Sequence, residues 1–190
     1  MIHGLVGGAE RGRGRGWFAP TAGTDLVNSQ IGTEQARRLV EAGHSRLACA
    51  YLVDERLDRY GAAREHGVRV HCQASGLAQP QILHVALDRA QAAGQLRTLP
   101  LPCGIACYDD EVAAALLTAA HDLAMRVPDE VALIGMGHTW LSRLTTPPLA
   151  TFEYDLSAAV DNLVQSIAEA PEPGPVTVHT AIRFIPGGTI

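Results

Sequence analysis

The chain repeats one unit: a short, largely apolar run followed by a longer amphipathic stretch. The runs are RLACAYL from Arg46, VRVHC from Val68, CGIACY from Cys103 and VALIGMG from Val131. Strands that do not alternate between apolar and polar residues are covered on both faces, as in a parallel sheet flanked by helices. The stretches between and before them read as those helices. IGTEQARRLVEAG places Ile31, Ala36, Leu39 and Val40 near one face and stops at Gly43. ERLDRYGAAREHG reads as a short helix ending at Gly67, and QILHVALDRAQAAG as a helix using Ile82, Val85 and Leu87. DDEVAAALLTAAHDLAM is the strongest helical pattern of all. Right-handed crossovers then give an open layered lobe, in which ligands bind beyond the carboxyl ends of the strands.

The remainder is less regular. Residues 1–24, with ERGRGRGWFAP, read as an irregular N-terminal segment. After Gly137, HTWLSRLTTPPLATFEY is a long connection with turn signals, fitting a crossing between lobes or a lid. DLSAAVDNLVQSIAEA reads as an amphipathic helix, PEPGP as a turn, and VTVHTAIRFI as an extended segment that can return to the first sheet.

Composition narrows the function classes. A net charge of -5 over 190 residues gives no general attraction for nucleic acid or acidic lipid. No run of eighteen apolar residues is present, so no membrane partner is expected. The opening MIHGLVGGAERGRGRGW places its charges after its short apolar part, unlike a secretory signal, and a cytoplasmic location is expected. Cys49, Cys72, Cys103 and Cys107 are scattered among apolar runs. Cys103 and Cys107 share a strand face but lie roughly 13 Å apart along it, too far for one zinc or a disulfide. They are expected to be buried free thiols.

The motif with most chemistry in it is CYDDEVAAALL. Asp109 and Asp110 fall between a strand end and a helix start, where a carboxylate caps free amides and gains from the helix dipole. Asp109 can also point from the strand end towards a ligand hydroxyl or amine. Adjacent acids on a tight turn diverge, and no Asp-x-Asp pattern supports a metal. The eight histidines have no metal-ligand spacing. His44, after Gly43, is placed to bond the last carbonyls of a helix, and His138 follows a strand end. Arg56 opens a helix after a strand and is the best basic candidate for clamping vicinal hydroxyls or a carboxylate. No nucleophile elbow, phosphate loop or dinucleotide fingerprint occurs, so no catalytic residue, metal or cofactor is assigned and the chain is read as no enzyme.

Taken together, VNSQIGTEQARRLVEAGHSRLACA, RLDRYGAA, CYDDEVAAALLTAAHDLAMRVPDEVALIGMG and PPLATFEYDL resemble, in order and spacing, the effector-binding core of lac-repressor-like (LacI/GalR) transcription regulators. The resemblance covers roughly Val27 to Thr189. It implies a fold similar to periplasmic sugar-binding proteins: an α/β lobe with helices on both faces of a parallel sheet, plus a partial second lobe. The implied division is an effector-binding lobe over 25–136, part of the other lobe and the crossover over 137–172, and a returning strand over 173–190. The implied ligand residues are Arg56, Asp109, Gly137 and His138, with Asp110 structural. Gly137 and His138 occupy positions that are usually acidic in the family, which removes a strong acceptor for sugar hydroxyls. The implied function is the effector-sensing and dimerisation core of a repressor. It binds a small polar molecule such as a sugar and meets operator DNA only through a head absent from this chain. The alternatives are a solute-binding protein that does no chemistry, or a degenerate sensor that binds no small ligand.

Overall fold

The computed structural model describes residues 22–53, 60–155, 157, 164 and 181–190. The chain order is α1 (Ala22–Glu41), β1 (Leu47–Leu52), α2 (Gly61–Ala74), β2 (Gln81–Val85), α3 (Arg89–Leu96), β3 (Cys103–Cys107), α4 (Asp110–Asp122), β4 (Val131–Ile134), α5 (Trp140–Leu144), β5 (Thr151–Asp155) and β6 (Ala181–Ile185). The first four strands form one sheet in the order β2-β1-β3-β4, every pair parallel. The α/β architecture read from the sequence is therefore the one observed.

Three of the four apolar runs behave as expected. Every residue of β3 and β4 is buried, and in β1 only Leu52 is partly exposed. Their side chains feed two apolar cores. One packs Leu83, Ile105 and Leu133 against Leu96 of α3 and Val112 and Leu116 of α4. The other packs Leu47, Cys49 and Ile134 against Ile31 and Leu39 of α1 and Val68 and Cys72 of α2. Helices thus cover both faces of the sheet. Helices α1 and α2 meet backbone to backbone: a Cβ on Gly67 would lie 1.9 Å from the Ser29 carbonyl oxygen, so no side chain fits there.

Two assignments change. VRVHC is not a strand but the continuation of α2, past Gly67. Val68 and Cys72 are buried while Val70, between them, is 45% exposed, a helical rather than an alternating pattern. The second strand is instead QILHV, which had been read as the start of a helix. It is the edge strand β2, with outward and inward positions alternating at His84 and Val85. Asp88 then caps α3 by accepting from the Gln91 amide at 2.9 Å, so strand and helix are separated by a cap. The N-terminal irregular segment also ends earlier than expected, since α1 begins at Ala22.

Beyond β4 the chain stays attached to the sheet. Ile134 and Ala150 form a parallel bridge, and the Leu133 amide donates to the Thr189 carbonyl at 2.8 Å. Strands β5 and β6 pair antiparallel in a separate ladder, Phe152 opposite Phe184. Among the described residues, the C-terminal extended segment pairs with β5 and reaches the first sheet through its tail. The amphipathic helix expected from Asp155 onward, the PEPGP turn and the first half of VTVHTAIRFI lie outside the described residues apart from Asp155, Ser157 and Val164.

Candidate functional site

The carboxyl ends of β1, β3 and β4 lie side by side, because Ala50 is in register with Cys107 and Ala106 with Ile134. The turns leaving β3 and β4 therefore form one edge. Buried Gln35 of α1 holds that edge together. Its amide nitrogen approaches the carbonyl oxygens of Cys107 at 2.9 Å, Gly135 at 3.1 Å and Ile134 at 3.3 Å.

Asp109 and Asp110 take different parts on this edge. Asp109 is the N-cap of α4, its Oδ1 accepting from the Val112 amide at 2.8 Å. Burial pushes its carboxyl above the ordinary range, against the pull of that amide and of the Arg64 charge. Asp110 is wholly buried. Its Oδ2 accepts from the Thr139 amide at 2.6 Å and hydroxyl at 3.0 Å, and its Oδ1 accepts from the Thr151 hydroxyl at 2.5 Å. It ties the turn after β3 to the loop after β4 and to β5, a structural part.

Gly137 has φ +122°, a conformation that favours glycine, and its amide donates to the Phe152 carbonyl at 2.7 Å. His138 follows, also with positive φ, and turns its Nδ1 to Glu153 Oε2 at 2.6 Å. Arg183, opposite Glu153 in the β5–β6 ladder, donates to the other oxygen at 2.6 Å. The hydrogen bond from His138 and then that from Arg183 hold the Glu153 carboxyl below its ordinary range. His138 thus meets the β5–β6 ladder.

Arg56 lies outside the described residues. The arginine that the structure brings to Asp109 is Arg64, in the first turn of α2. It is 7% exposed. Its Nε donates to Asn28 Oδ1 at 2.9 Å, Nη1 donates to the Tyr108 carbonyl, and the guanidinium carbon lies 4.7 Å from the centre of the Tyr108 ring. The sequence does not single out Arg64, because its contacts reach Asn28 and Tyr108, 36 and 44 residues away. The available signal was the i, i+3 pair Arg64 and Gly67, which share a helix face tight enough to need glycine. Behind Arg64, bounded by Gln35, Tyr51 and Tyr108, is a cavity of about 10 Å³, room for one water and no more.

His44 does not bond the last carbonyls of α1 through its ring, as its position suggested. Its backbone amide does so, to Leu39 at 3.1 Å, while Nδ1 is buried without a partner among the described residues. The four cysteines are free and buried, as expected. Among the described residues no group of His, Cys, Asp or Glu could hold a metal ion, and no helix is long and apolar enough to cross a membrane.

Comparison with known proteins agrees with this architecture. Residues 36–190 match the model of the periplasmic binding protein-like domain. The ribose operon repressor of Escherichia coli K12 is 30% identical over 167 residues, covering 80% of this chain and 50% of the repressor. The HTH-type transcriptional regulator DegA of Bacillus subtilis is 28% identical over 125 residues, 63% of this chain and 36% of the regulator. The chain therefore spans about a third to a half of the length of these relatives. Among solved structures, a LacI family transcriptional regulator from Enterococcus faecium with bound ribose superposes with a TM-score of 0.68 at 18% identity, over 85% of this chain and 62% of that one. One from Arthrobacter in complex with lactose gives 0.65 at 24% identity, over 85% and 64%. The chain belongs to the periplasmic binding protein-like domain family, with LacI/GalR-type transcriptional regulators as its relatives there.

Proposed function

We propose that this chain is the effector-sensing core of a cytoplasmic transcription regulator, a repressor, which binds a small polar molecule at the carboxyl edge of its parallel sheet and performs no chemistry on it. The observation that carries the reading is the convergence of Arg64, Tyr108 and Asp109 where β3 gives way to α4. Parallel α/β sheets bind ligands at that edge, and the guanidinium and carboxyl groups suit a polyol or its derivatives. Ligand acts by binding two arrangements of the core with different affinity, and so biases the regulator's affinity for operator DNA. In this proposal residues 25–136 form the effector lobe, and 137–172 belong to the crossover and the other lobe.

A homodimer is part of the same reading. Apolar Leu87, Ala114, Ala115 and Leu141, together with polar Asp88, Arg89, Glu111 and Thr118, border an open hollow of about 340 Å³, and Leu87, Trp140 and Leu144 are each more than half exposed. Such a face is covered by a second copy.

The test is calorimetric titration of the chain with pentoses, hexoses and their acid and phosphate derivatives, alongside Asp109→Ala and Arg56→Ala. Saturable binding weakened about tenfold or more by Asp109→Ala supports the assignment. Unchanged affinity in either variant removes that residue from the site. A second reading, a degenerate sensor with no small ligand, is favoured by one observation: Gly137 offers no side chain and His138 is engaged by Glu153. Absence of any binding across the panel would select it.

A further inference from the structure

Resting on the sensing reading above, the charge balance of the strand-end edge narrows the class of effector. Arg64 is a nearly buried cation, and buried cations are as a rule paired with an anion. Of its five N–H groups, one goes to the Asn28 amide oxygen and one to the Tyr108 carbonyl, both neutral acceptors. The other three have no partner among the described residues, and Arg64 makes no ion pair there.

Among the described residues, most carboxylate oxygens around this edge are committed elsewhere. Asp109 caps α4 with Oδ1 and acts on Arg64 only at a distance. Asp110 serves Thr139 and Thr151 with both oxygens. Glu153 is held between His138 and Arg183, and Glu65 between Arg69 and the Tyr51 hydroxyl. Position 137 has no side chain at all. Among the described residues, the edge therefore holds more unused guanidinium donors than unused carboxylate oxygens, a balance that favours an anionic group on the polyol over a neutral one.

We infer that the effector carries an oxyanion, a carboxylate or a phosphate on a sugar-sized polyol, and that the free N–H fork of Arg64 binds it. Charge-assisted bonds to such a group strengthen binding by about tenfold or more over the neutral counterpart.

The experiment is calorimetry on the wild-type chain with matched probes: ribose against ribose 5-phosphate, glucose against gluconate and glucose 6-phosphate, with inorganic phosphate alone as a further arm. The expected result is an anionic member binding about tenfold or more tightly than its neutral counterpart, weakening as sodium chloride is raised. Gluconate as the preferred probe identifies a carboxylate, and a sugar phosphate identifies a phosphate. Arg64→Gln is expected to abolish the preference. Arg64→Lys, which keeps the charge but not the fork, should reduce it while the thermal transition is retained, so the test survives if Arg64→Gln does not fold. Neutral sugars binding as tightly as their anionic partners overturn this inference and leave the sensing reading intact. Inorganic phosphate binding as tightly as the best sugar anion overturns it too, since the polyol then contributes nothing. Binding by no probe overturns both.

Discussion

The Thr151 hydroxyl donates to Asp110 Oδ1 at 2.5 Å, joining the start of β5 to the start of α4 across 41 residues. A Cβ on Gly135 would sit 2.4 Å from that same oxygen. The carboxylate is thus both hydrogen-bonded and sterically enclosed. Asp110→Ala leaves the Thr139 amide and two hydroxyls without their acceptor, and should lower stability by about 3 kcal/mol. Gly135→Ala should do comparable damage by displacing the carboxylate. Urea unfolding of both variants checks this, and a loss below about 0.5 kcal/mol in Asp110→Ala would show the network to be dispensable.

Asp109 separates a cap from a charge. Burial raises its carboxyl, so the folded chain holds the proton more tightly than the unfolded chain does. Its ionisation therefore opposes folding. The penalty is absent below about pH 4, the ordinary value, and grows as pH rises towards the raised value. Asparagine keeps the capping oxygen without the charge. At neutral pH Asp109→Asn should be at least as stable as wild type, whereas Asp109→Ala should lose about 1 kcal/mol. Chemical denaturation at about pH 7 distinguishes them, and equal losses in the two would remove the charge argument.

His44 should make the fold acid-sensitive. Burial pushes its imidazole below the ordinary value, with Asp129 opposing weakly. Below about pH 6.5 the unfolded chain takes up a proton that the folded chain resists, so stability falls as pH falls from there towards the lowered value. The wild type should lose more stability between about pH 7.5 and about pH 5.5 than His44→Gln does. Parallel denaturation profiles for the two proteins would count against this.

The thiols should be silent in the native state. Burial pushes Cys49 and Cys103 up to about 12, and Cys72 and Cys107 are raised as well. The thiolate is the reactive form. Iodoacetamide at about pH 8 should leave all four unlabelled by mass spectrometry and label all four in denaturant. Rapid native labelling of Cys49 or Cys103 would show that β1 or β3 opens.

How much of this was legible follows from what each residue pattern encodes. RLACAYL, CGIACY and VALIGMG announced strands covered on both faces because such burial leaves no position for a polar side chain. The edge strand QILHV carries a mixed pattern in five residues, which a short window cannot tell from a helical turn. VRVHC misled through its β-branched valines. Packing against α1 overrode that preference, and Gly67, which looked like a stop, is the point of helix contact. Asp109 was legible as a cap because that job arises within one turn, whereas the structural part of Asp110 was implied only by the family resemblance, its partners Thr139 and Thr151 lying 29 and 41 residues away. Arg64 was not legible, because its importance lies in contacts to Asn28 and Tyr108, 36 and 44 residues away.

The amide of Gln35 reaches the last carbonyls of two strands from the middle of a 20-residue helix. Helix α1 is in that sense a lever pinned at its fulcrum. Any torque delivered at its N-terminal end near Ala22 arrives where β3 and β4 turn out of the sheet. Those hydrogen bonds couple the position of the helix to the turns leaving β3 and β4.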